Sequence, residues 1–358
     1  MTKQWNPANL NSICILRLSA IGDVCNAVSV VQSIQRQYPK AQITWVIGKV
    51  EAALLAGLPG VRFVVFDKKQ GKAAYSQLKQ ALKHDYFDVL LHMQVAFRAN
   101  LASLCINAGI KIGFDWHTAK ELHALFMRHR ITPAPRSHVL DGFRQFAKAI
   151  GVTEQNLGQI PSWQLPVGDA DEQWAQTQLA TTGNSRTLII SPAASKAERN
   201  WLAERYAAVA DYATEQGFAV LLCGGPTELE RNLSQAILAQ AKHPITDLTG
   251  KTSLKQLLAL LKHTSLVLAP DTGPTHMAVA AGTPVIGLYG HSNPDRTGPY
   301  LFRQYVVEVY HQSLLQQYGK TADQLKWGTR VKGADIMQQI SIAAVTAMFD
   351  KVVAEQQL

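Results

Sequence analysis

Short runs of aliphatic residues alternate with helical patterns along most of the chain, and this alternation limits the possible folds more than any other sequence feature. The first half contains four strand patterns, at residues 13–18, 42–47, 61–66 and 87–92. Helical patterns over residues 24–37 and 73–84 lie between them. Strands that alternate with helices in this way predict a parallel sheet covered by helices, which is an α/β fold.

The same alternation restarts in the second half, after a segment that is typical of a linker. Residues 161–166 are bounded by two prolines, and residues 168–172 are acidic. Four further strand patterns follow, at residues 187–190, 218–223, 265–269 and 283–289. We therefore expect two Rossmann-like domains, over residues 1–165 and 166–335.

The chain ends in a pattern that predicts an amphipathic helix over residues 336–358. Asp335 is the expected N-cap. Residues at helical spacing form the expected apolar face: Ile336, Ile340, Ala344 and Met348.

Composition excludes several classes of protein. The chain has 358 residues, of which 47% are hydrophobic and 17% charged, enough to bury sizeable cores. Its four cysteines are scattered without a CxxC pair, which predicts reduced core thiols and a cytosolic protein. We expect no signal peptide, and no apolar stretch approaches the roughly 20 residues that a membrane span needs.

The net charge of +9 indicates either solubility alone or attraction to an anionic partner. A nucleotide diphosphate and a phosphorylated lipid surface both have this character. Nucleic acid is not expected, because the sequence has no basic run interleaved with aromatic residues.

Ligands of α/β sheets bind beyond the carboxyl ends of the strands, so the loops that follow the strands are the candidate sites. The first such loop is Ser19-Ala-Ile-Gly-Asp23. Gly22 allows close approach of the backbone to a ligand. Asp23 is either a helix N-cap or a carboxylate that acts as general base on a sugar hydroxyl.

The second loop, residues 191–201, follows the strand that opens the second half. Its small residues together with Ser195, Lys196 and Arg199 form a candidate phosphate site. Arginine binds phosphate in a bidentate manner, and lysine acts as a point charge. The alternative is an ordinary solvated loop.

The third loop, Pro270-Asp-Thr-Gly-Pro-Thr-His276, leads from a buried strand into a helix rich in small residues. Amides at a helix start, and the positive end of its dipole, suit a diphosphate. Thr272 and Thr275 are expected to add hydroxyl donors. The alternative roles are capping for Asp271 and Thr272, and a satisfied core histidine for His276.

Several common motifs are absent from the sequence. It contains no GxGxxG, GxxxxGK[ST] or HExxH motif, which disfavours nicotinamide, P-loop and zinc-protease chemistry. Asp169-Ala-Asp171 matches the DxD that some glycosyltransferases use to hold a metal. Because it lies in the acidic linker, we interpret it as a solvated turn.

Together these segments resemble the lipopolysaccharide core heptosyltransferases of glycosyltransferase family 9, and the heptosyltransferase I branch in particular. The loop at residues 18–24, the loop at 191–201, the segment 109–116 and the signature Asp271-Thr-Gly-Pro-Thr-His276 occur in the family's order. The resemblance implies the GT-B fold, in which two Rossmann-like domains with parallel sheets face across a cleft. It also implies that the last helix packs back on the N-terminal domain.

The resemblance further implies inverting transfer of heptose from ADP-heptose without a metal or other cofactor. Asp23 corresponds to the catalytic base, and the first domain binds the acceptor. Glu228 falls where a carboxylate contacts the donor ribose. The remaining donor residues in the second domain are Ser195, Lys196, Arg199, Asp271, Thr272, Gly273 and His276.

The implied acceptor is the Kdo region of the inner core, carried by Kdo-lipid A or its phosphorylated form. Basic residues expected to meet it are Arg17, Lys111, Lys120, Arg128 and Arg136. We expect a monomer at the cytoplasmic face of the inner membrane of a Gram-negative bacterium, in peripheral contact with an anionic membrane surface. The alternatives are a heptosyltransferase II-like enzyme that adds to a heptose, and a non-transferring nucleotide-sugar epimerase or binding protein.

Overall fold

A computed structural model describes residues 10–116 and 123–358 of the chain. It divides into two compact units, Met1–Pro166 and Val167–Leu358. The units meet between residues 166 and 167, whereas the expected domain boundary lies between residues 165 and 166. Within the described residues, no helix is both long and apolar enough to cross a membrane.

The described part of the first unit forms a six-stranded parallel sheet flanked by helices. The strands are β1 (Ser12–Leu16), β2 (Gln42–Gly48), β3 (Val61–Phe66), β4 (Phe87–His92), β5 (Ala108–Gly113) and β6 (His129–Arg130). The helices are α1 (Ile21–Gln37), α2 (Lys49–Leu55), α3 (Ala73–Ala81), α4 (Phe97–Ser103), α5 (His123–Phe126), α6 (Val139–Ala149) and α7 (Glu154–Leu157).

The second unit repeats this architecture. Its strands are β7 (Thr187–Ile190), β8 (Ala219–Leu222), β9 (Thr246–Asp247), β10 (Leu266–Pro270), β11 (Val285–Tyr289) and β12 (Val306–Glu308). Its helices are α8 (Asp169–Ala180), α9 (Ala203–Glu215), α10 (Glu228–Leu238), α11 (Leu254–His263), α12 (Gly273–Ala281), α13 (Pro294–Thr297), α14 (Tyr310–Tyr318) and α15 (Ile342–Gln356).

Both sheets have the strand order of a dinucleotide-binding fold. The order is β3-β2-β1-β4-β5-β6 in the first unit, and β9-β8-β7-β10-β11-β12 in the second. The central strands β1 and β10 are almost wholly buried, as expected where helices cover both faces of a parallel sheet. The direction of strand addition reverses between β1 and β4 and between β7 and β10. Ligands of such sheets bind at this reversal.

The last helix differs from its expected form. It begins at Ile342 and is capped by Ser341, whose hydroxyl accepts from the amide of Ala344 at 3.1 Å, so Asp335 is not its cap. Its buried residues are Val345, Phe349 and Val352, whereas Ala344 is exposed. The first two residues of the expected face, Ile336 and Ile340, lie before the helix, and within it the face that carries the bulky aromatic ring is the one that packs.

By its contacts this helix belongs to the second unit. The ring of Phe349 meets Phe218 edge to face, with centroids 5.0 Å apart, and lies 5.9 Å from Tyr212 of α9. Tyr212 also donates to the Asp350 carboxylate at 2.7 Å. The helix is therefore anchored through an aromatic cluster of its own unit.

Replacement of Phe349 by alanine is expected to lower the unfolding free energy of the second unit by about 3–5 kcal/mol, because it removes a buried aromatic ring. Urea unfolding followed by circular dichroism measures this change. Ile342→Ala, on the exposed side of the same helix, is the control and should change it by about 0.5 kcal/mol or less. Equal effects of the two substitutions would show that Phe349 is not the anchor.

Candidate active site

Asp23 lies in the first turn of α1, directly after the central strand β1. The N-cap of α1 is Ala20, and no side chain caps the helix, so Asp23 does not serve as its N-cap. The carboxylate instead accepts from Nη2 of Arg17, and the Asp23 side chain is one-third exposed. Asp23 therefore does not have the N-cap role, which was one of its two expected roles. Its carboxylate is partly exposed to solvent at the carboxyl edge of the sheet.

Arg17 is held from several directions. Its Nη1 donates to the carbonyl of Met93 at 2.6 Å, and its guanidinium lies 5.1 Å from the ring centre of Phe143. Met93 follows β4, the strand beside β1 across the reversal of the first sheet. Arg17 thus ties the two loops at this reversal together and orients Asp23.

The backbone groups of the β1 loop form hydrogen bonds with side chains of neighbouring segments. The Leu18 amide donates to Oε1 of Gln94 at 2.7 Å, and the indole N–H of Trp45 donates to the Arg17 carbonyl at 3.1 Å. A Cβ added at Gly48 would lie 2.3 Å from the Leu18 carbonyl oxygen, so only glycine fits there. The Ser19–Ala20 peptide bond is cis.

The corresponding reversal in the second unit also holds an arginine and an aspartate. Nη2 of Arg199, from the loop after β7, donates to the backbone carbonyl of Asp271 at 2.7 Å and to its carboxylate at 3.0 Å. Asp271 follows β10. Burial opposes its ionisation, yet the pKa of the Asp271 carboxyl lies below its usual range because His276 and Arg199 favour the carboxylate. The pair is therefore a fixed charged element at the carboxyl edge.

His276 extends this element. Its Nε2 lies 3.9 Å from Oδ1 of Asp271, and its side chain is 9% exposed. Its Nδ1 is buried and has no hydrogen-bond partner among the described residues. His276 is therefore not the satisfied core histidine of the alternative interpretation, and a bound ligand can supply the missing partner.

The start of α12 supplies backbone rather than hydroxyl donors. Thr272 is the N-cap residue, but its side chain makes no cap hydrogen bond. The hydroxyls of Thr272 and Thr275 both donate to the Pro270 carbonyl, at 3.2 and 2.6 Å, contrary to the expectation that they face a ligand. Amides in the first turn of a helix have no intrahelical acceptor, so the amides of Gly273 and Thr275 remain suited to an anion.

Ser195 and Lys196 are exposed on the loop after β7. The Lys196 ammonium is 3.9 Å from the carboxylate of Glu198, and both side chains are more than half exposed. An ion pair of this kind contributes little to stability, so Lys196 can turn to another anion at small cost. The loop itself is fixed where the Ala194 amide donates to Asn200 at 2.6 Å.

Glu228 lines a cavity of about 590 Å³ in the second unit. The other lining residues are Ala197, Asn200, Trp201, Leu229, Asn232 and Leu233. Glu228 begins α10, but the helix is capped by Thr227 together with Glu230. Thr227 is the N-cap, and Glu230 is its partner in the capping box. The Glu230 carboxylate accepts from the Thr227 hydroxyl and from the Gly225 amide, the latter at 2.7 Å. The exposed Glu228 carboxylate is therefore not needed for the local fold.

His291 was not singled out from the sequence, although it immediately follows Gly290 at the end of β11. The buried ring lies between two carbonyl oxygens, with Nε2 2.9 Å from Glu198 and Nδ1 3.0 Å from Val331. Glu198 neighbours Arg199 in the β7 loop, so His291 helps to hold this loop. Its place directly beyond a strand end is the signal that could have identified it.

The cations predicted on the acceptor side have different surroundings. Lys111 donates to the Ser103 carbonyl at 2.6 Å, and burial lowers the pKa of its ammonium. Arg17 is committed to Asp23 and Met93. Arg128 and Arg136 are exposed, and Lys120 lies outside the described residues. Lys111 is therefore built into its own unit rather than presented to a ligand.

Two histidines of the stretch between Lys111 and Arg144, which is rich in basic residues, are also internal. The His138 ring accepts from the Leu140 amide at 3.0 Å and caps α6. Burial, with Arg130 as a second cause, lowers the pKa of His123 to about 4. His123 stacks edge to face on the buried His92, with ring centres 4.6 Å apart. With this pKa the His123 ring is neutral at physiological pH, so it adds nothing to the basic character of residues 111–144.

The described residues contain no group of three histidine, cysteine, aspartate or glutamate side chains that could hold a metal. Asp169 and Asp171 lie in the first turn of α8 rather than in a turn between elements. Acidic residues at this position are stabilised by the helix dipole.

Cys14, Cys25 and Cys223 are buried free thiols, and burial raises their pKa values.

Comparison with known proteins gives consistent matches. The sequence profile of glycosyltransferase family 9 (heptosyltransferase) matches residues 75–327. The lipopolysaccharide core heptosyltransferase OpsX of Haemophilus influenzae is 42% identical over 340 residues, which cover 95% of this chain and 96% of OpsX.

Solved structures with the same fold include a glycosyl transferase family 9 protein from Veillonella parvula. Its TM-score is 0.79 at 22% identity, and the match covers 98% of this chain and 99% of that one. The E. coli heptosyltransferase WaaC, solved with ADP, gives a TM-score of 0.72 at 20% identity over 95% of this chain and 99% of WaaC.

Both units have dinucleotide-binding topology, and the heptosyltransferase structure matches 95% of the chain. The chain therefore has the GT-B fold. The family profile covers more than half of the chain, and the relative at 42% identity covers nearly all of it. The chain is therefore a glycosyltransferase and belongs to glycosyltransferase family 9, the heptosyltransferases.

Proposed function

We propose that this chain transfers heptose, with inversion and without a metal, from ADP-heptose to the Kdo region of the lipopolysaccharide inner core. The observation that carries the proposal is the cluster of Arg199, Asp271 and His276 at the reversal of the second sheet, in the same unit as the cavity of Glu228. The names of the relatives support an acceptor in the lipopolysaccharide core and a donor that contains ADP. OpsX is a lipopolysaccharide core heptosyltransferase, and WaaC was solved with ADP.

The cavity of Glu228 is the proposed site of the donor nucleoside. Its volume of about 590 Å³ falls within the usual range for small-molecule sites. Its lining combines leucine side chains with two asparagines, which suits a base and a sugar. The Glu228 carboxylate accepts from the ribose hydroxyls.

The donor diphosphate extends toward Ser195, Lys196 and Arg199. The hydrogen bonds of Arg199 to Asp271 both use Nη2, so Nη1 and Nε can donate to a phosphate oxygen. Amides at the start of α12, around Thr272 and Gly273, add the positive end of a helix dipole. These groups stabilise the negative charge that grows on ADP as it leaves.

Asp271 and His276 are the proposed partners of the transferred heptose. The Asp271 carboxylate is fixed by Arg199 and accepts from sugar hydroxyls. The buried Nδ1 of His276, which has no partner in the part of the chain that the structure describes, gains a hydrogen bond from the sugar. Binding of the sugar therefore satisfies an atom that is costly to leave unpaired.

Asp23 is the proposed general base. It removes the proton from the acceptor hydroxyl, whose oxygen bonds to the anomeric carbon while the bond from that carbon to ADP breaks. The electron pair of the broken bond leaves with ADP. The contact with Arg17 keeps the carboxylate in a single orientation, which proton transfer requires.

The cations and amides of the second unit are proposed to replace a metal at the diphosphate. The Asp169 and Asp171 pair lies in the first turn of a helix and not in a loop after a strand, which supports this. We therefore expect turnover to persist in EDTA. Loss of turnover in EDTA, with recovery on addition of magnesium, would contradict this part of the proposal.

The acceptor is proposed to be Kdo-lipid A or its phosphorylated form, bound by the basic first unit at the cytoplasmic face of the inner membrane. The exposed Arg128 and Arg136 can meet its carboxylates and phosphates. Heptosyltransferase I-like transfer to Kdo follows from the resemblance of residues 109–116, and we propose that the enzyme acts as a monomer.

Asp23→Asn keeps the shape of the side chain and removes its basicity. Turnover should fall by at least about 10²-fold, which is the low end of the contribution of general base catalysis. ADP-heptose affinity, measured by calorimetry, should not change. Asp169→Asn, also in the first turn of a helix, is the matched control and should keep native turnover. Near-native turnover of the Asp23 variant would rule out its role as the base.

Two substitutions within one turn of α10 distinguish a role in ADP binding from a role in stability. They are Glu228→Gln and Glu230→Ala. Loss of a hydrogen bond to a charged group costs about 1.5–3 kcal/mol, so Glu228→Gln should raise the Kd of ADP about 10-fold or more without changing the melting temperature. Glu230→Ala breaks the capping box and should lower stability by about 0.5–2 kcal/mol. Unchanged ADP affinity of the Glu228 variant would exclude the ribose contact.

A further inference from the structure

The net positive charge of the chain lies in its first unit. Residues 1–166 contain 19 lysines and arginines and nine acidic residues, whereas residues 167–358 contain 16 and 17. The first unit is therefore strongly basic, although the proposed donor cations Lys196 and Arg199 lie in the second. Donor binding does not explain this asymmetry.

Much of this charge lies on and beside α3. Five exposed lysines occur between residues 68 and 83: Lys68, Lys69, Lys72, Lys79 and Lys83. The sequence has no acidic residue between Asp67 and Asp85. Lys72 and Lys79 are seven residues apart, which places them on one side of the helix. The opposite side, with Ala74 and Leu78, is buried in the core.

Beside these lysines, α4 presents apolar side chains to solvent. Phe97 is 48% exposed and Leu104 is 62% exposed, and the half-buried Leu101 lies between them at helical spacing. The two helices are neighbours. The Tyr75 hydroxyl of α3 donates to the Arg98 carbonyl at 3.5 Å, and the Cys105 thiol donates to the Tyr75 carbonyl at 3.7 Å.

We propose that this α3–α4 surface docks the enzyme on an anionic phospholipid bilayer. The surface consists of Lys68, Lys69, Lys72, Lys79, Lys83, Arg98, Phe97, Leu101 and Leu104. The cations meet the lipid phosphates, and the apolar stripe of α4 enters the boundary between headgroups and acyl chains. Exposed aliphatic side chains beside the lysines favour a bilayer over nucleic acid, whose phosphates offer them no apolar contact.

The position of the surface is consistent with a lipid-linked acceptor, and this part rests on the proposed function. α4 begins five residues after the end of β4, at the carboxyl edge where Asp23 also lies. Docking there brings the first-unit loops to the membrane, where the acceptor is anchored. Lipid binding itself is a separate property that needs neither donor nor acceptor.

Co-sedimentation with vesicles tests the proposal directly. The full chain should bind vesicles that contain phosphatidylglycerol and not vesicles of phosphatidylcholine alone. Each basic residue near an anionic surface contributes about 5-fold to partitioning. The combined variant Lys72→Gln, Lys79→Gln and Lys83→Gln should therefore lose well over 10-fold, and Leu104→Gln should also weaken binding.

A variant of the second unit with the same loss of charge is the matched control. Lys242→Gln, Lys320→Gln and Lys326→Gln remove three exposed lysines and should leave vesicle binding close to native. Circular dichroism checks that all variants fold. Equal losses in the two triple variants, no binding by the native chain, or binding to a DNA duplex without vesicle binding would overturn the proposal. Failed docking with intact transfer to a detergent-solubilised acceptor would leave the proposed function standing.

Discussion

The reversal of strand order in each sheet is the constraint on which the rest of the structure depends. Where neighbouring strands lead their helices to opposite faces, the loops between them stay uncovered at the carboxyl edge. In both units an arginine and an aspartate occupy this position: Arg17 with Asp23 in the first, and Arg199 with Asp271 in the second. Each arginine ties together the loops of the two strands that flank the reversal.

The two pairs differ in a way that fits a division of work between the units. The Asp23 carboxylate is one-third exposed, whereas that of Asp271 is 16% exposed and is held from two sides by Arg199 and His276. A partly exposed carboxylate suits an exchange of protons with an incoming hydroxyl. A buried and fixed carboxylate suits a permanent contact with a bound sugar.

Much of this arrangement could be predicted from the sequence, because apolar runs reveal strands and the loops after strands reveal sites. The α/β architecture follows from these patterns, whereas the GT-B fold and the family come from the resemblance that the Asp271–His276 signature carries. Details that depend on competing local contacts could not be predicted. Helical spacing continues through residues 336–348, so it shows neither that the last helix begins only at Ile342 nor that the face of Phe349 packs against Phe218. Likewise, the sequence does not show that Lys111 is tethered to Ser103, or that the hydroxyls of Thr272 and Thr275 turn back to Pro270.

The central claim is that the enzyme joins heptose to Kdo, and mass spectrometry of the acceptor tests it most directly. The purified chain is incubated with ADP-heptose and either Kdo-lipid A or phosphorylated Kdo-lipid A. The account predicts a gain of one heptose on at least one of these acceptors. Transfer only to an acceptor that already carries heptose would contradict the assignment to Kdo, and an isomerised donor with no product would contradict transfer itself.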